Sequence, residues 1–154
     1  MKSKSLLIVQ IVMVLVIALS IYFIGASYFS FKTLQQNNTS ANLISNKSIV
    51  VMLLKQSVLP ALFLISFLLL LKRKNWGWVL AVASFIALFI ETFAVLLANR
   101  EPAALFFSVP FLLISFLCLF LLFQQALRKL FNVVNATYLL TVASIVVILI
   151  LLNG

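Results

Sequence analysis

Five long apolar stretches are the feature that most restricts how this chain can fold. The hydrocarbon core of a bilayer is about 30 Å thick, and a helix needs about 20 apolar residues to cross it. The stretches are close to that length, although the last one has only 17 residues. They lie at 6–28, 49–71, 76–98, 103–123 and 136–152. The sequence therefore predicts an all-α, polytopic transmembrane bundle of five spans that forms a single membrane domain.

The composition supports this fold class and excludes several kinds of site. Hydrophobic residues make up 66% of the chain and charged residues 8%, against about half and a quarter in soluble domains. The chain contains no histidine or aspartate, and its one cysteine, Cys118, lies among leucines and phenylalanines. Zinc, haem and iron–sulfur sites and histidine-based triads need residue sets that it lacks. We therefore expect no cofactor or metal, and a buried, inert Cys118.

The net charge of +9 would suggest nucleic-acid binding in a soluble protein. Here the basic residues lie mainly between the apolar stretches, where they orient a membrane protein and attract anionic lipid headgroups. We expect the lipid bilayer to be the partner of these residues, and no nucleic-acid partner. The basic residues nearest the headgroups are expected to be Lys72, Arg73, Lys74, Arg128 and Lys129.

The distribution of basic residues also predicts the orientation. With five spans and a cytoplasmic N-terminus, seven of the eleven basic residues face the cytoplasm and three face outward, as the positive-inside rule requires. The C-terminus and the polar segment 32–48, which is expected to form an exposed loop, then lie outside. We expect the protein to lie in the cell membrane. Its small size, its excess of lysine over arginine and its lack of histidine favour a bacterial inner membrane.

The first stretch has a competing interpretation as a cleaved signal peptide. Gly25, Ala26 and Ser27 supply small residues near its end. The apolar region of a signal peptide spans about 7–15 residues, however, and this stretch is longer. We therefore expect a retained first span.

The third stretch carries small residues on one helical face. In lipid, small residues mark the places where helix backbones approach closely, so this face is predicted to pack against other helices. Trp76 and Trp78 are expected to anchor the start of this span at the membrane interface. The face consists, at steps of three or four with Glu91 among them, of Gly77, Ala81, Ser84, Ala87, Ala94 and Ala98.

Lys55 and Glu91 are the two charges inside the predicted spans. Each lies 15 or 16 residues from the inner end of its own span, which corresponds to roughly 22–24 Å at 1.5 Å per residue. Charges at such depths are costly unless they are paired, so we predict a Lys55–Glu91 ion pair or hydrogen bond. In the alternative, Lys55 extends outward and Glu91 is protonated or bonded to Gln56 or a hydroxyl.

The second and third stretches resemble the fourth and fifth. Leu-Ile-Ser-Phe-Leu occurs at 64–68 and again at 113–117, preceded by Pro60 and Pro110. Both prolines are expected to kink their helices. The similarity indicates either two duplicated hairpins that follow a first helix, or chance matches between leucine-rich spans.

Small polar residues follow one side of the fourth and fifth stretches. We expect their hydroxyls to bond across helices and to serve packing rather than a solute pathway. The residues are Ala104, Ser108, Ser115, Cys118, Thr137, Thr141 and Ser144.

Three functional classes fit these observations. The first is a non-catalytic integral membrane protein, an accessory, assembly or interaction subunit that binds a membrane protein or a second copy of itself. The second is a small oligomeric transporter or channel for an ion or small solute, with Glu91 and Lys55 in its pathway. The third is an intramembrane hydrolase with Lys55 as the base for a serine such as Ser57. We expect the first, and hence no enzyme.

Overall fold

A computed structural model describes residues 4–37, 46–98, 102–133 and 136–153 of the chain. Every secondary-structure element in these ranges is an α-helix, which confirms the predicted fold class at this level. The helices are α1 (Lys4–Asn37), α2 (Asn46–Leu71), α3 (Asn75–Ala98), α4 (Pro102–Phe123), α5 (Gln125–Leu130) and α6 (Ala136–Asn153).

Three of these helices are long and apolar enough to cross a membrane. They cover residues 4–33, 49–71 and 75–98, and a shorter apolar helix covers 108–123. These lengths and compositions suggest a membrane protein. The fourth and fifth apolar stretches correspond to α4 and α6, and the count of five spans stays a prediction.

The polar segment 32–48, predicted as a loop, is partly helical. α1 continues to Asn37 and α2 begins at Asn46, while residues 38–45 lie outside the described part. The loop was predicted because the segment has no apolar periodicity. A helix that projects beyond the membrane does not need such periodicity, and the segment up to Asn37 contains neither proline nor glycine to end it. The hydroxyl of Thr33 donates to the Phe29 carbonyl (2.9 Å) within this extension.

α3 is the central helix of the bundle. It packs against α2, α4 and α6, and α1 packs against α2 and α4. Apart from Leu80, every residue from Gly77 to Phe85 is buried. The sequence similarity pairs the hairpin of α2 and α3 with that of α4 and α6. In the described part of the chain the two hairpins pack differently, because α2 packs against α3 whereas α6 packs on α3 rather than on α4. The duplication stays a prediction.

The bundle is tightly closed at the end where α1 and α3 begin and α2 and α4 finish, here called the basic end. The short helix α5 and the residues that follow it cover this end. Leu127 of α5 is buried there, as are Phe131 and Val133 after the helix. Three side-chain hydrogen bonds tie distant segments together there. They run from Ser5 Oγ to Gln124 Oε1 (3.0 Å), from Asn75 Nδ2 to Tyr138 Oη (3.3 Å), and from Trp78 Nε1 to the Leu122 carbonyl (2.9 Å).

Trp78 is a core residue, so the prediction that it anchors the membrane interface is wrong. It is fully buried, whereas Trp76 is 55% exposed. The last carbonyls of a helix have no intrahelical donor, and the indole N–H of Trp78 supplies one to Leu122 in the last turn of α4. Its ring also meets Phe123 edge to face at 5.6 Å.

Two clusters of basic residues lie at helix ends that are closed in the same way. The residue after each helix cap has a positive φ, 51° at Arg73 and 52° at Asn132. Two backbone N–H groups then bond back to the last turn, as in a Schellman motif. The bonds are Arg73 N to Leu70 O (3.1 Å), Lys74 N to Leu69 O (3.0 Å), Asn132 N to Lys129 O (3.1 Å) and Val133 N to Arg128 O (2.9 Å).

Candidate functional site

The opposite end of the bundle, here called the distal end, contains a cavity between α1, α2 and α3. Its volume is about 780 Å³, within the range of about 300–1,000 Å³ that is typical of small-molecule sites. It is open on one side. Its wall is mostly apolar, and its polar members are Ser20, Ser27, Lys55, Gln56 and Glu91.

The cavity continues faces that are packed nearer the basic end. Four buried residues of α1 follow one another at steps of three or four, and the next positions on that face, Ser20, Ile24 and Ser27, line the cavity. The four buried residues are Leu6, Val9, Met13 and Val16. The face that packs in the first half of α1 therefore becomes a cavity wall in its second half.

The same change occurs along α2 and α3. Near the basic end their backbones touch, because a Cβ added to Gly77 would lie 2.6 Å from the Leu70 nitrogen and 2.7 Å from the Leu69 carbonyl carbon. Farther along α2, Gln56 borders the cavity, as Glu91 does on α3. The three helices are therefore in contact at the basic end and separated at the distal end.

Phe63 lies beyond the cavity wall, on the side of the basic end. It lies one turn from Leu59 and Pro60 of the cavity wall and is fully buried. Its ring meets that of Phe85 on α3 edge to face, with centroids 5.0 Å apart. Val16 of α1 and Ser84 of α3, at 5% and 1% exposure, each lie four residues from a wall residue, Ser20 and Leu88 respectively. These buried residues lie between the cavity wall and the basic end.

Three polar residues of the cavity lie at one depth. Ser20, Lys55 and Glu91 are each 16 residues from the basic-end terminus of their helix (20 − 4, 71 − 55 and 91 − 75). At 1.5 Å per residue, this places them about 24 Å from the basic end. In a hydrocarbon core about 30 Å thick, they would lie close to its distal boundary.

Lys55 and Glu91 thus border the same cavity from neighbouring helices. The Lys55 side chain is exposed and that of Glu91 is half-buried. The direct ion pair between them stays a prediction. An ammonium carries three N–H donors and a carboxylate about four lone-pair sites, so pairing leaves each group able to bind something else.

Gln56, named from the sequence only as a possible partner of Glu91, also borders the cavity. Its side-chain oxygen Oε1 is buried and has no hydrogen-bond partner among the described residues. In a helix its backbone carbonyl would accept from residue 60, but Pro60 has no N–H. Gln56 therefore presents two acceptors that the helix itself does not satisfy, at the wall of the cavity. The sequence signal for the unsatisfied carbonyl is the four-residue spacing between Gln56 and Pro60.

The predicted packing face of α3 divides into two parts. Gly77, Ala81, Ser84 and Ala87 are buried, whereas Ala94 and Ala98 are exposed at the distal end, where Ala94 borders the cavity. The Ser84 hydroxyl is buried and has no partner among the described residues.

Both prolines lie inside continuous helices. α2 runs through Pro60 and α4 through Pro110, and the kinks stay predictions. The predicted headgroup-binding residues lie at the basic end. Lys72, Arg73, Lys74 and Lys129 are exposed there, and Arg128 is half-buried.

The expectation that buried hydroxyls bond across helices is wrong for Ser115. Its hydroxyl donates to the Phe111 carbonyl of its own helix (2.7 Å), and that of Ser66 donates to Leu62 (2.8 Å). Serine in a helix reaches the carbonyl four residues earlier without any help from a neighbour. Ser57, the nucleophile considered for an intramembrane hydrolase, likewise donates to Leu54 (2.8 Å).

Three kinds of polar group are available at the cavity. Lys55 supplies a cation, Glu91 an acid and Gln56 neutral acceptors. No group of three or more histidine, cysteine, aspartate or glutamate residues occurs in the described part of the chain, and Cys118 is buried in α4. Comparisons of the chain with protein-family models, with curated proteins and with solved structures found no match.

Proposed function

We propose that this chain is a small, non-catalytic integral membrane protein of five spans that acts by binding within the membrane, as an accessory, assembly or interaction subunit. The observation that carries the proposal is the distal cavity. A cavity of about 780 Å³, beyond which Phe63 and Phe85 are buried with their rings in contact, is suited to holding a partner and not to conducting a solute.

A small oligomeric transporter is the second candidate. It is favoured by one observation, the presence of Lys55 and Glu91 on the wall of one cavity, because ionisable residues inside a membrane often mark ion or proton pathways. Conduction would require the buried residues between the cavity and the basic end, such as Phe63 and Phe85, to separate.

A flux assay separates the two candidates. The purified chain is reconstituted into proteoliposomes, and proton, cation and anion flux is measured for the unmodified chain and for Glu91→Gln. The binding function predicts flux no greater than in empty liposomes. Flux that depends on the protein and disappears in Glu91→Gln would reject it in favour of transport.

For the orientation, we propose a cytoplasmic N-terminus and a basic end that faces the cytoplasm in the cell membrane, in a bacterium the inner membrane. The support is the excess of basic residues at that end, which include Lys72, Arg73 and Lys74 in the α2–α3 turn and Arg128 and Lys129 on α5. The distal cavity then lies in the outer leaflet.

A further inference from the structure

We propose that the distal cavity binds the headgroup of a phospholipid that carries hydrogen-bond donors. Lys55 would bind the phosphate, and Gln56 would accept from the donor group. This inference rests on the proposed binding function and names the class of ligand. Phosphatidylethanolamine has both features, and its ammonium group has three N–H donors.

The position of the cavity is suited to a lipid. Lys55 lies about 24 Å from the basic end, so in a core about 30 Å thick a headgroup would need to descend by little more than one helical turn. Beside the polar groups, the wall includes Phe23, Ile24, Leu59 and Val95. These apolar side chains are suited to the first methylene groups of the acyl chains.

The charge on Lys55 selects an anionic partner. An ammonium group has only donors to offer, and charge-assisted hydrogen bonds to phosphate oxygens are among the stronger ones in proteins. The exposed side chain of Lys55 at the cavity wall can bind a phosphate while it also pairs with Glu91, because its three N–H groups allow both.

Gln56 requires the ligand to be a donor as well. Its buried Oε1 has no partner among the described residues, and Pro60 leaves its backbone carbonyl without the usual helical donor. The ammonium of phosphatidylethanolamine and the hydroxyls of phosphatidylglycerol can both donate here. The quaternary ammonium of phosphatidylcholine has no N–H, so it carries the same charge but cannot satisfy Gln56. Glu91 supplies a further acceptor, which favours the ammonium over the hydroxyls.

The test is lipid binding to the full chain in detergent, measured by native mass spectrometry with the three lipids matched in acyl chains. We expect phosphatidylethanolamine to bind about tenfold more tightly than phosphatidylcholine, as one good hydrogen bond would give. Gln56→Leu, which leaves the backbone carbonyl and Glu91 as acceptors, should reduce that preference and leave phosphatidylcholine binding unchanged. The matched control Gln125→Leu, at an exposed site of α5, should keep the preference.

A second pair of variants tests the phosphate contact. Lys55→Gln, measured on the folded fraction, should weaken all three lipids about tenfold, and Lys55→Arg, which keeps the charge, should retain binding. Lys32→Gln removes a lysine that is exposed on the distal extension of α1 and should have no effect. Val95→Trp, which fills the cavity, should block binding while Lys55 is intact.

Several results would overturn the lipid proposal. They are equal affinity for phosphatidylethanolamine and phosphatidylcholine, unchanged binding in Lys55→Gln or Val95→Trp, and displacement of the lipid by millimolar free phosphoethanolamine, which would identify a soluble ligand. A photoreactive residue at position 95 separates this failure from failure of the proposed function. Cross-links to lipid support the inference, and cross-links to protein alone reject the lipid while the binding function stands. Solute flux would reject the binding function itself.

Discussion

At the scale of single residues, Gly77 determines how closely α2 and α3 approach each other. A methyl group there would lie 2.6 Å from the backbone nitrogen of Leu70, and backbone cannot move aside as a flexible side chain can. We expect Gly77→Ala to destabilise the bundle by about 1–3 kcal/mol, the usual cost of overpacking. The thermal unfolding midpoint in detergent measures the effect.

Gly25 provides a matched control for that substitution. It is also a helical glycine, but a Cβ there meets nothing within 4 Å. Gly25→Ala should leave the midpoint unchanged or raise it slightly, since alanine is the better helix former. If both alanine variants behave alike, the close contact between α2 and α3 at Gly77 is wrong.

Trp78 contributes a hydrogen bond in addition to its packing. Trp78→Phe keeps an aromatic ring but removes the donor to the buried Leu122 carbonyl. Leaving a buried acceptor unsatisfied costs about 1–3 kcal/mol, so the unfolding midpoint should fall. The exposed Trp76 gives the control, because Trp76→Phe should have little effect. Equal midpoints for the two variants would contradict the bond.

The sequence predicts those properties of the site that depend on a residue's position along its own helix. The common depth of Lys55 and Glu91 follows from counting residues along two antiparallel helices, and the structure places both at one cavity. The buried oxygen of Gln56 and the burial of Trp78 depend on where neighbouring helices lie. A single sequence does not show how the helices are arranged. A tryptophan beside a charged turn is also typical of the membrane interface, so nothing in the sequence indicated that Trp78 lies in the core.

At the scale of helices, the hairpin of α2 and α3 carries both charges of the cavity. If Lys55 and Glu91 pair, neutralising either one leaves the other without a partner at a costly depth. We expect Lys55→Met and Glu91→Gln each to lower the folded yield in membranes, measured by size-exclusion chromatography. The double exchange Lys55→Glu with Glu91→Lys should restore it. A double variant no better than the single ones would reject direct pairing.

The helices also show which boundaries a sequence can predict. The apolar stretches predicted the helices in the right places. In lipid, the backbone N–H and C=O groups of such a stretch must bond to one another, and a helix provides these bonds within the stretch. The stretches did not predict the extension of α1 to Asn37, since a solvated helix carries no apolar pattern. The short helix α5 is amphipathic, with Leu127 buried and Lys129 exposed.

At the scale of the whole molecule, the two ends of the bundle differ in packing. The basic end has inter-segment hydrogen bonds, a covering helix and buried aromatic residues, whereas at the distal end three helices separate around a cavity. When the distal cavity binds a ligand, as proposed, we expect the packed basic end to keep its structure.

The orientation of these two ends in the cell membrane can be measured directly. The one native cysteine, Cys118, is buried, so single cysteines introduced elsewhere give little background. Thr33 on the distal extension of α1 and Gln125 on α5 are exposed and uncharged, and replacing them leaves the charge distribution intact. We expect a membrane-impermeant maleimide to label Thr33→Cys in intact cells and Gln125→Cys only after permeabilisation. The reverse pattern would place the basic end outside, against the positive-inside rule, and labelling of both in intact cells would contradict the proposal that α1 crosses the membrane.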